Sequence, residues 1–173
     1  MTVVLENIHD PHNVSAVLRS CDAVGIMRVE LLYYIEKFPR IGRKSSSSAN
    51  KWLERRTHTT VDACYATLRR EGFTIYATRL DTEAVSLYDL DLTKKVALVF
   101  GNEHRGVSDE AAQKADANFN IPMMGMIQSL NISVACAVSL YEALRQRLAQ
   151  GHYDSPKLTP EELEHWFHDW INR

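Results

Sequence analysis

The chain has 173 residues, of which 45% are hydrophobic, and its formal net charge at pH 7 is −2. This length suits one compact domain and is short for two. No run of 18 apolar residues occurs, and Glu6 lies where a signal peptide would be basic, so we expect a cytoplasmic protein without a membrane segment. The cysteines lack any C-x-x-C pair, which indicates buried thiols and neither a disulfide framework nor a metal site: Cys21, Cys64 and Cys136.

Short apolar runs alternate with helical patterns along the chain. In order, the predicted elements are Val3–Ile8 (strand), Val14–Val24 (helix), Arg28–Tyr34 (strand), Val61–Glu71 (helix), Phe73–Leu80 (strand), Val96–Phe100 (strand), Asp109–Lys114 (helix), Ala117–Met123 (strand), Ile132–Ala149 (helix) and Pro160–Ile171 (helix). This alternation predicts an α/β fold, in which a mostly parallel sheet is covered by helices on both faces.

The end of the chain carries a clear helix start. Thr159-Pro-Glu-Glu162 has the pattern of a capping box with proline at the first helical position. We therefore expect one domain over residues 1–150, followed by a short helical extension over residues 151–173. The apolar stripe of that last helix, which includes two tryptophans, suits either packing on its own domain or a subunit interface.

Positive charge is concentrated in one stretch, from Glu36 to Arg56. Seven basic and two acidic side chains give this stretch a local charge of +5, although the whole chain is slightly acidic. A solvated face and a surface for phosphate groups are both consistent with that pattern. Gly42 and Ser45–Ser48 predict a mobile loop inside it. The basic residues that could contact phosphate groups are Arg40, Arg43, Lys44, Arg55 and Arg56.

Two polar segments follow predicted strands, at the place where an open α/β sheet binds its ligands. The first offers Asn13, which we expect to cap a helix, and Arg19 inside that helix. The second contains Glu103 between Gly101 and Gly106, and glycines let a backbone turn sharply and approach a ligand closely. Taken alone, each segment also fits an ordinary cap or turn.

A third segment follows the predicted strand that ends near Pro122. It begins with an apolar loop containing three methionines and then places Ser129 and Asn131 before the long helix that starts at Ile132. A helix N-terminus favours an anion such as a phosphate, because its amide groups have no partner within the helix.

Together the three segments resemble, in order and spacing, the three motifs of SpoU methyltransferases: Glu6 with Pro11-His-Asn-Val-Ser-Ala16 and Arg19, then Gly101-Asn-Glu103 with Gly106, then Ile121-Pro with Gln128-Ser-Leu-Asn-Ile-Ser133. The match spans nearly the whole chain. Three segments in register are far more specific than any one of them.

The resemblance implies the SPOUT fold, with a deep trefoil knot in its C-terminal part, and a homodimer whose active site lies at the subunit interface. It implies metal-free transfer of a methyl group from S-adenosylmethionine to a ribose 2′-hydroxyl of tRNA, at the D-loop guanosine. The implied cofactor-binding residues are Thr78, Gly101, Ile121 and Leu130. The implied catalytic residues are Arg19 at the centre, with Asn13, Glu103, Ser129 and Asn131 organising it and the ribose.

Some alternatives stay open at this point. SpoU enzymes are usually assigned an arginine base, here Arg19, yet a guanidinium remains protonated in proteins, so a bidentate clamp on a phosphate is a second interpretation. The same cofactor site would also serve methylation of ribosomal RNA or of another tRNA position. A non-catalytic α/β binding module is a third possibility, in which the glycine loop and the caps are only structural.

Overall fold

The computed structural model describes residues 1–39, 49–156 and 158–172. Its elements, in chain order, are β1 (Thr2–Glu6), α1 (Pro11–Ala23), β2 (Arg28–Leu32), α2 (Ala49–Trp52), β3 (Glu54–His58), α3 (Val61–Arg70), β4 (Thr74–Thr78), β5 (Val85–Ser86), β6 (Val96–Phe100), α4 (Asp109–Lys114), β7 (Ala117–Asn120), α5 (Ile132–Ala149) and α6 (Pro160–Ile171). None of the helices in these three ranges combines the length and apolar character that crossing a bilayer requires.

A single seven-stranded sheet organises the fold, in the order β3-β2-β1-β6-β4-β7-β5. Every strand pair in it is parallel. The central strand β6 has the sequence VALVF, and none of its residues is more than 1% exposed. The predicted α/β class with a mostly parallel sheet is therefore confirmed, as is the prediction that Val96–Phe100 is buried on both sides.

Helices cover both faces of the sheet, because side chains alternate between the faces along each strand. On one face, Val3 and Leu5 of β1 pack in a cluster with residues of α1 and α5. On the other face, Val4 packs in a second cluster with residues of α3 and α4. The three predicted thiols lie inside these layers, and all are buried and free, as the sequence predicted.

The helices α4, α5 and α6 have the predicted bounds, and their caps explain why. Ser108 caps α4 through the amide of Ala111, and the capping box of α6 is present. The prediction that Asn13 caps the first helix is wrong. Asp10 is the cap, because its carboxylate accepts a hydrogen bond from the amide of His12 (2.8 Å), and α1 begins at Pro11. Asn13 lies within the first turn, with its side chain available for another contact.

Strand ends differ from the prediction, and two strands, β3 and the two-residue β5, were not predicted. Strand β1 stops at Glu6 because Asn7 adopts a left-handed backbone with φ of 51°, which no extended strand accommodates. Strand β7 likewise stops at Asn120, just before Ile121 and Pro122. Strand β3 was missed altogether, because its sequence ERRTH carries charges in place of the apolar residues that normally reveal a strand.

Ion pairs explain how such a charged segment joins the sheet as β3. Glu30 of β2 is completely buried, and its carboxylate accepts hydrogen bonds from Arg28 (3.1 Å), Arg56 (2.8 and 2.9 Å) and His58 (2.7 Å). Glu71, just beyond α3, also binds Arg56 (2.6 Å). Burial raises the pKa of Glu30, but the hydrogen bonds from Arg56 and His58 outweigh it and the net shift is downward. The edge strand is therefore held by paired charges.

Helix α6 contacts α2 through Trp170. The indole nitrogen of Trp170 donates to the carbonyl oxygen of Trp52 (3.1 Å), and the two rings lie edge to face at 6.0 Å. No residue of α6 is buried, and Phe167 and Ile171 are 52% and 82% exposed. The division into a domain over residues 1–150 and an extension over residues 151–173 stays a prediction, as does an interface role for this stripe.

Candidate active site

The three polar segments meet at one edge of the sheet. They follow β1, β6 and β7, and the strand order places β1 beside β6 and only β4 between β6 and β7. Because all these strands are parallel, their carboxyl ends lie at the same edge, and the loops that leave them converge there.

Glu103 joins the first segment to the second. Its carboxylate accepts hydrogen bonds from the amide of His9 (3.0 Å), the amide of Asp10 (3.1 Å) and the side-chain nitrogen of Asn13 (2.9 Å). Burial raises the pKa of Glu103, but the hydrogen bonds from Asn13 and from the backbone outweigh it, so the pKa lies below its usual value. Near neutral pH this side chain is therefore a carboxylate that only accepts hydrogen bonds.

Asn13 extends this connection to the third segment. While its Nδ2 donates to Glu103, its Oδ1 accepts a hydrogen bond from Nδ2 of Asn131 (3.1 Å). Asn131 in turn caps α5, since its Oδ1 accepts from the amide of Ser133 (2.9 Å). Both ends of the Asn13 amide are thus committed, which fixes its orientation. Three of the five predicted catalytic residues form one hydrogen-bonded chain.

A cavity of about 670 Å³ opens beside these hydrogen-bonded side chains. Glu103, Ser129 and Asn131 contribute to its wall. So do all four residues that the resemblance assigned to the cofactor: Thr78, Gly101, Ile121 and Leu130. The structure therefore gathers residues at or after the ends of three strands, β4, β6 and β7, around a space of the size that a small organic ligand occupies.

Arg19 does not lie with the others. It is exposed on α1 and is absent from the described residues that line the cavity. Six residues along a helix correspond to a rotation of about 240°, so Arg19 points away from the face on which Asn13 meets Glu103. Within one chain, the structure does not bring Arg19 to the cavity.

Two glycines close the loop that carries Glu103. The backbones of Asn102 and Gly106 hydrogen-bond to each other in both directions (2.8 and 3.0 Å), and Gly106 has a φ of 68°. A Cβ atom on Gly101 would lie only 2.1 Å from the backbone of Gly106 and Val107. Only glycine fits at position 101, because the two ends of the loop pass in direct contact there.

The sequence analysis assigned no role to two residues that hold this loop in place, Asn7 and Asn102. Both are nearly fully buried polar residues, at 3% and 5% exposure, and the side chain of Asn102 donates to the carbonyl of Asn7 (2.7 Å). An asparagine directly after an apolar strand is a signal for a left-handed residue, and it could have identified Asn7. Asn102 stands within the motif Gly101-Asn-Glu103, but the sequence assigned it no role of its own.

The basic residues divide into three groups. Arg40, Arg43 and Lys44 lie outside the described residues, as do Gly42 and the serines of the expected loop. Arg55 is exposed on the edge strand β3. Arg56 is held by Glu30 and Glu71, and those hydrogen bonds raise its pKa, so its guanidinium is already engaged within the sheet. Within the described ranges, no group of three or more His, Cys, Asp or Glu side chains is arranged to hold a metal ion.

The Gly101 contact yields a stability prediction. We expect Gly101→Ala to lower the free energy of unfolding by about 1–3 kcal/mol, because the added methyl group overpacks the loop against backbone that cannot rotate away. Gly125→Ala is the matched control, since a Cβ there meets nothing within 4 Å, and we expect it to change stability by less than about 0.5 kcal/mol. Urea unfolding of both variants measures the difference. Equal stability of the two would contradict the close approach.

Comparison with known proteins extends the match from three segments to the whole chain. The SpoU rRNA Methylase family matches residues 1–141. A tRNA (guanosine(18)-2′-O)-methyltransferase of Thermus thermophilus is 45% identical over 173 residues, which cover all of this chain and 89% of that protein.

Solved structures agree with the sequence matches. The crystal structure of the Aquifex aeolicus TrmH/SpoU tRNA modifying enzyme superposes with a TM-score of 0.92 at 38% identity, over 98% of this chain and 86% of that one. The SpoU methyltransferase AviRb of Streptomyces viridochromogenes, solved with the cofactor AdoMet, gives 0.77 at 26% identity over 86% of this chain and 61% of that one. The chain therefore belongs to the SpoU methylase family.

Proposed function

We propose that this protein transfers a methyl group from S-adenosylmethionine to a ribose 2′-hydroxyl of tRNA, with the D-loop guanosine as its target. The observation that carries this proposal is the chain of hydrogen bonds from Glu103 through Asn13 to Asn131 beside the cavity. A binding module would have no need to commit three separate segments to one rigid polar arrangement at a ligand cavity. The relatives from Thermus thermophilus and Aquifex aeolicus, a tRNA methyltransferase and a tRNA modifying enzyme, support the tRNA substrate.

The cavity suits the proposed cofactor. Its volume of about 670 Å³ lies within the usual range for sites of small organic ligands. Residues of the glycine loop line it together with Thr78, whose hydroxyl donates to the carbonyl of Val99 (3.1 Å). The relative AviRb was solved with AdoMet bound. When bound, S-adenosylmethionine supplies the methyl group from its sulfonium.

The residues of the site would act by alignment and by charge. Methyl transfer to a hydroxyl needs sulfur, carbon and oxygen in line and a route for the hydroxyl proton. Glu103 fixes Asn13, and Asn13 fixes Asn131 at the start of α5, beside Ser129 at the cavity wall. We assign Arg19 the clamp role, in which its guanidinium holds the phosphate next to the reacting ribose and stabilises charge on the oxygen.

A homodimer would explain why Arg19 points away from its own cavity. The exposed face of α5 supports an interface, because Val134, Tyr141 and Leu148 repeat every seven residues and are 46%, 53% and 56% exposed. Seven residues bring a helix back to the same face, so these side chains form an apolar stripe of the kind that a second subunit covers. We infer that each active site takes Arg19 from one subunit and the cavity from the other.

The strand registers support the trefoil knot that the resemblance implies. Strand β7 lies between β4 and β5, and both Thr78 and Val85 pair with Phe119. Residues 79–84 therefore cross from one side of β7 to the other. The chain leaves β7 at the same edge and continues to α5 on the face shared with α1, so we propose that it passes through the loop made by that crossing.

For RNA binding we retain Arg40, Arg43, Lys44 and Arg55 and withdraw Arg56, which the ion pairs already engage. Phosphate contacts from such a patch bind RNA without reading its sequence, and the 2′-hydroxyl separates RNA from DNA. Binding of tRNA also fits a cytoplasmic location, which we propose on that ground alone.

The function is tested by incubating the protein with labelled cofactor and tRNA transcripts and mapping the modified nucleotide. We expect 2′-O-methylation of the D-loop guanosine and no turnover by Arg19→Ala, which should keep its fold because the side chain is exposed. Methylation of ribosomal RNA or of another tRNA position would redirect the substrate assignment. If no RNA becomes methylated, the result would favour the non-catalytic binding module. Near-native activity of Arg19→Ala would show that Arg19 has no catalytic role.

Arg19→Lys separates the two roles of the arginine. Lysine keeps the charge and can lose its proton, but it lacks the planar pair of donors that a bidentate clamp needs. We expect the variant to stay inactive at every pH, because the clamp geometry is lost. Activity that recovers as the pH rises would identify a base.

The shared site predicts complementation between two inactive variants. Arg19→Ala and Asn131→Ala are mixed, unfolded and refolded together so that subunits exchange. If each site takes Arg19 and Asn131 from different subunits, one of the two sites in every mixed dimer is intact, and activity returns to about a quarter of the wild-type value. Each variant refolded alone is the control. No recovery, with mixed dimers shown by mass spectrometry, would place both residues in the same subunit.

A further inference from the structure

We propose that Asn7 is a positioning residue of the active site, which holds the glycine loop over residues 101–107 so that Glu103 meets Asn13. This inference rests on the proposed methyl transfer and extends it to a residue that makes no contact with the cavity. Three features of Asn7 support it: its left-handed backbone, the hydrogen bonds of its side chain and the hydrogen bond of its carbonyl group.

The backbone of Asn7 is unusual. Within the described part of the chain it is the one non-glycine residue with a positive φ, at 51°. Its amide still donates to the carbonyl of Leu32 (2.9 Å), so the strand register persists up to the point where the chain turns. Left-handed geometry is unfavourable for most residues, and asparagine is among the few that adopt it readily. Such residues are concentrated at functional sites, where the surroundings maintain them.

The side chain of Asn7 shapes the segment that follows β2. Its Oδ1 accepts hydrogen bonds from three successive amides, those of Tyr34 (3.1 Å), Ile35 (3.0 Å) and Glu36 (3.2 Å). The turn so formed directs Glu36 toward the glycine loop, where its carboxylate binds Arg105 (2.8 Å). That ion pair is half exposed and contributes little by itself, but it shows that the turn and the loop touch.

The carbonyl of Asn7 reaches the glycine loop directly. It accepts a hydrogen bond from Nδ2 of Asn102 (2.7 Å). The Oδ1 of Asn102 accepts from the amides of His104 (3.0 Å) and Arg105 (3.3 Å), so the side chain of Asn102 ties the loop together from within. Glu103 lies between these contacts. Its position therefore follows from where Asn7 holds Asn102.

The preceding residue, Glu6, fastens the other end of the loop. Its buried carboxylate accepts from the amide of Ser108 (2.9 Å) and from the hydroxyl of Tyr34 (2.5 Å). Asn7 thus supports the start of the loop and Glu6 its end. With both ends held, a change at Asn7 alone should displace the start of the loop without releasing the whole segment.

Substitutions at Asn7 test its side-chain contact, since its main-chain amide and carbonyl groups remain in any variant. Asn7→Asp keeps an acceptor oxygen and tolerates the left-handed backbone, while Asn7→Gly keeps the backbone freedom but loses the acceptor for the three amides. A displacement of about 1 Å in an active site can reduce turnover about a hundredfold. We therefore expect kcat to fall about tenfold to a hundredfold in Asn7→Gly with KM for tRNA little changed, and to be largely retained in Asn7→Asp. Asn172→Gly is the control, because its side chain is hydrogen-bonded but lies at the end of α6.

Hydrogen–deuterium exchange provides a readout that does not depend on methylation. We expect faster exchange at the amides of His104 and Arg105 in Asn7→Gly, near-native exchange in Asn7→Asp, and no change at these amides in the control. Wild-type exchange and wild-type kcat in Asn7→Gly would overturn the proposal, as would equal losses of kcat in the Gly and Asp variants. A wild-type protein that methylates no RNA would instead overturn the proposed function, while the exchange data would still decide whether Asn7 holds the loop.

Discussion

The carboxylate of Glu103 is the group on which the geometry of the site depends. It binds the amides of His9 and Asp10 and the side chain of Asn13, and so it joins loops that are about 90 residues apart in the sequence. Hydrogen bonds to an ionised acceptor are stronger than neutral ones and are costly to leave unmade in a half-buried place. A single charged group thereby brings two segments into register, and Asn13 passes that constraint to Asn131 and the start of α5.

The sheet brings these segments together independently of the hydrogen bonds within the site. Parallel pairing of β1 with β6 sets Leu5 opposite Phe100, so the two strands end side by side, and buried apolar residues on both faces make that pairing rigid. Of the two helices that pack on one face, α1 carries Asn13 in its first turn, and α5 is capped by Asn131. The exposed face of α5 and the outward direction of Arg19 are the two observations on which the proposed second subunit rests.

The sequence could predict those parts in which local chemistry and final structure agree. The β6 run VALVF, the capping box at Thr159 and the cap at Ser108 each specify their element directly, and the family motifs assigned the residues around the cavity. Strand β3 could not be predicted, because Arg56 and His58 belong to a sheet only through Glu30, a partner distant in the sequence. The role of Asn7 was hidden for a related reason, since its partners come from two other loops.

The central claim is that Glu103 and Asn13 work as one unit, and a double-mutant cycle on tRNA methylation tests it most directly. Asn13→Ala, Glu103→Ala and the double variant are compared by kcat/KM, with folding checked by thermal unfolding. We predict that the double variant is hardly worse than either single one, which corresponds to a coupling energy of at least about 1 kcal/mol. Losses that add to within about 0.5 kcal/mol would show that the two residues act independently and would contradict this account.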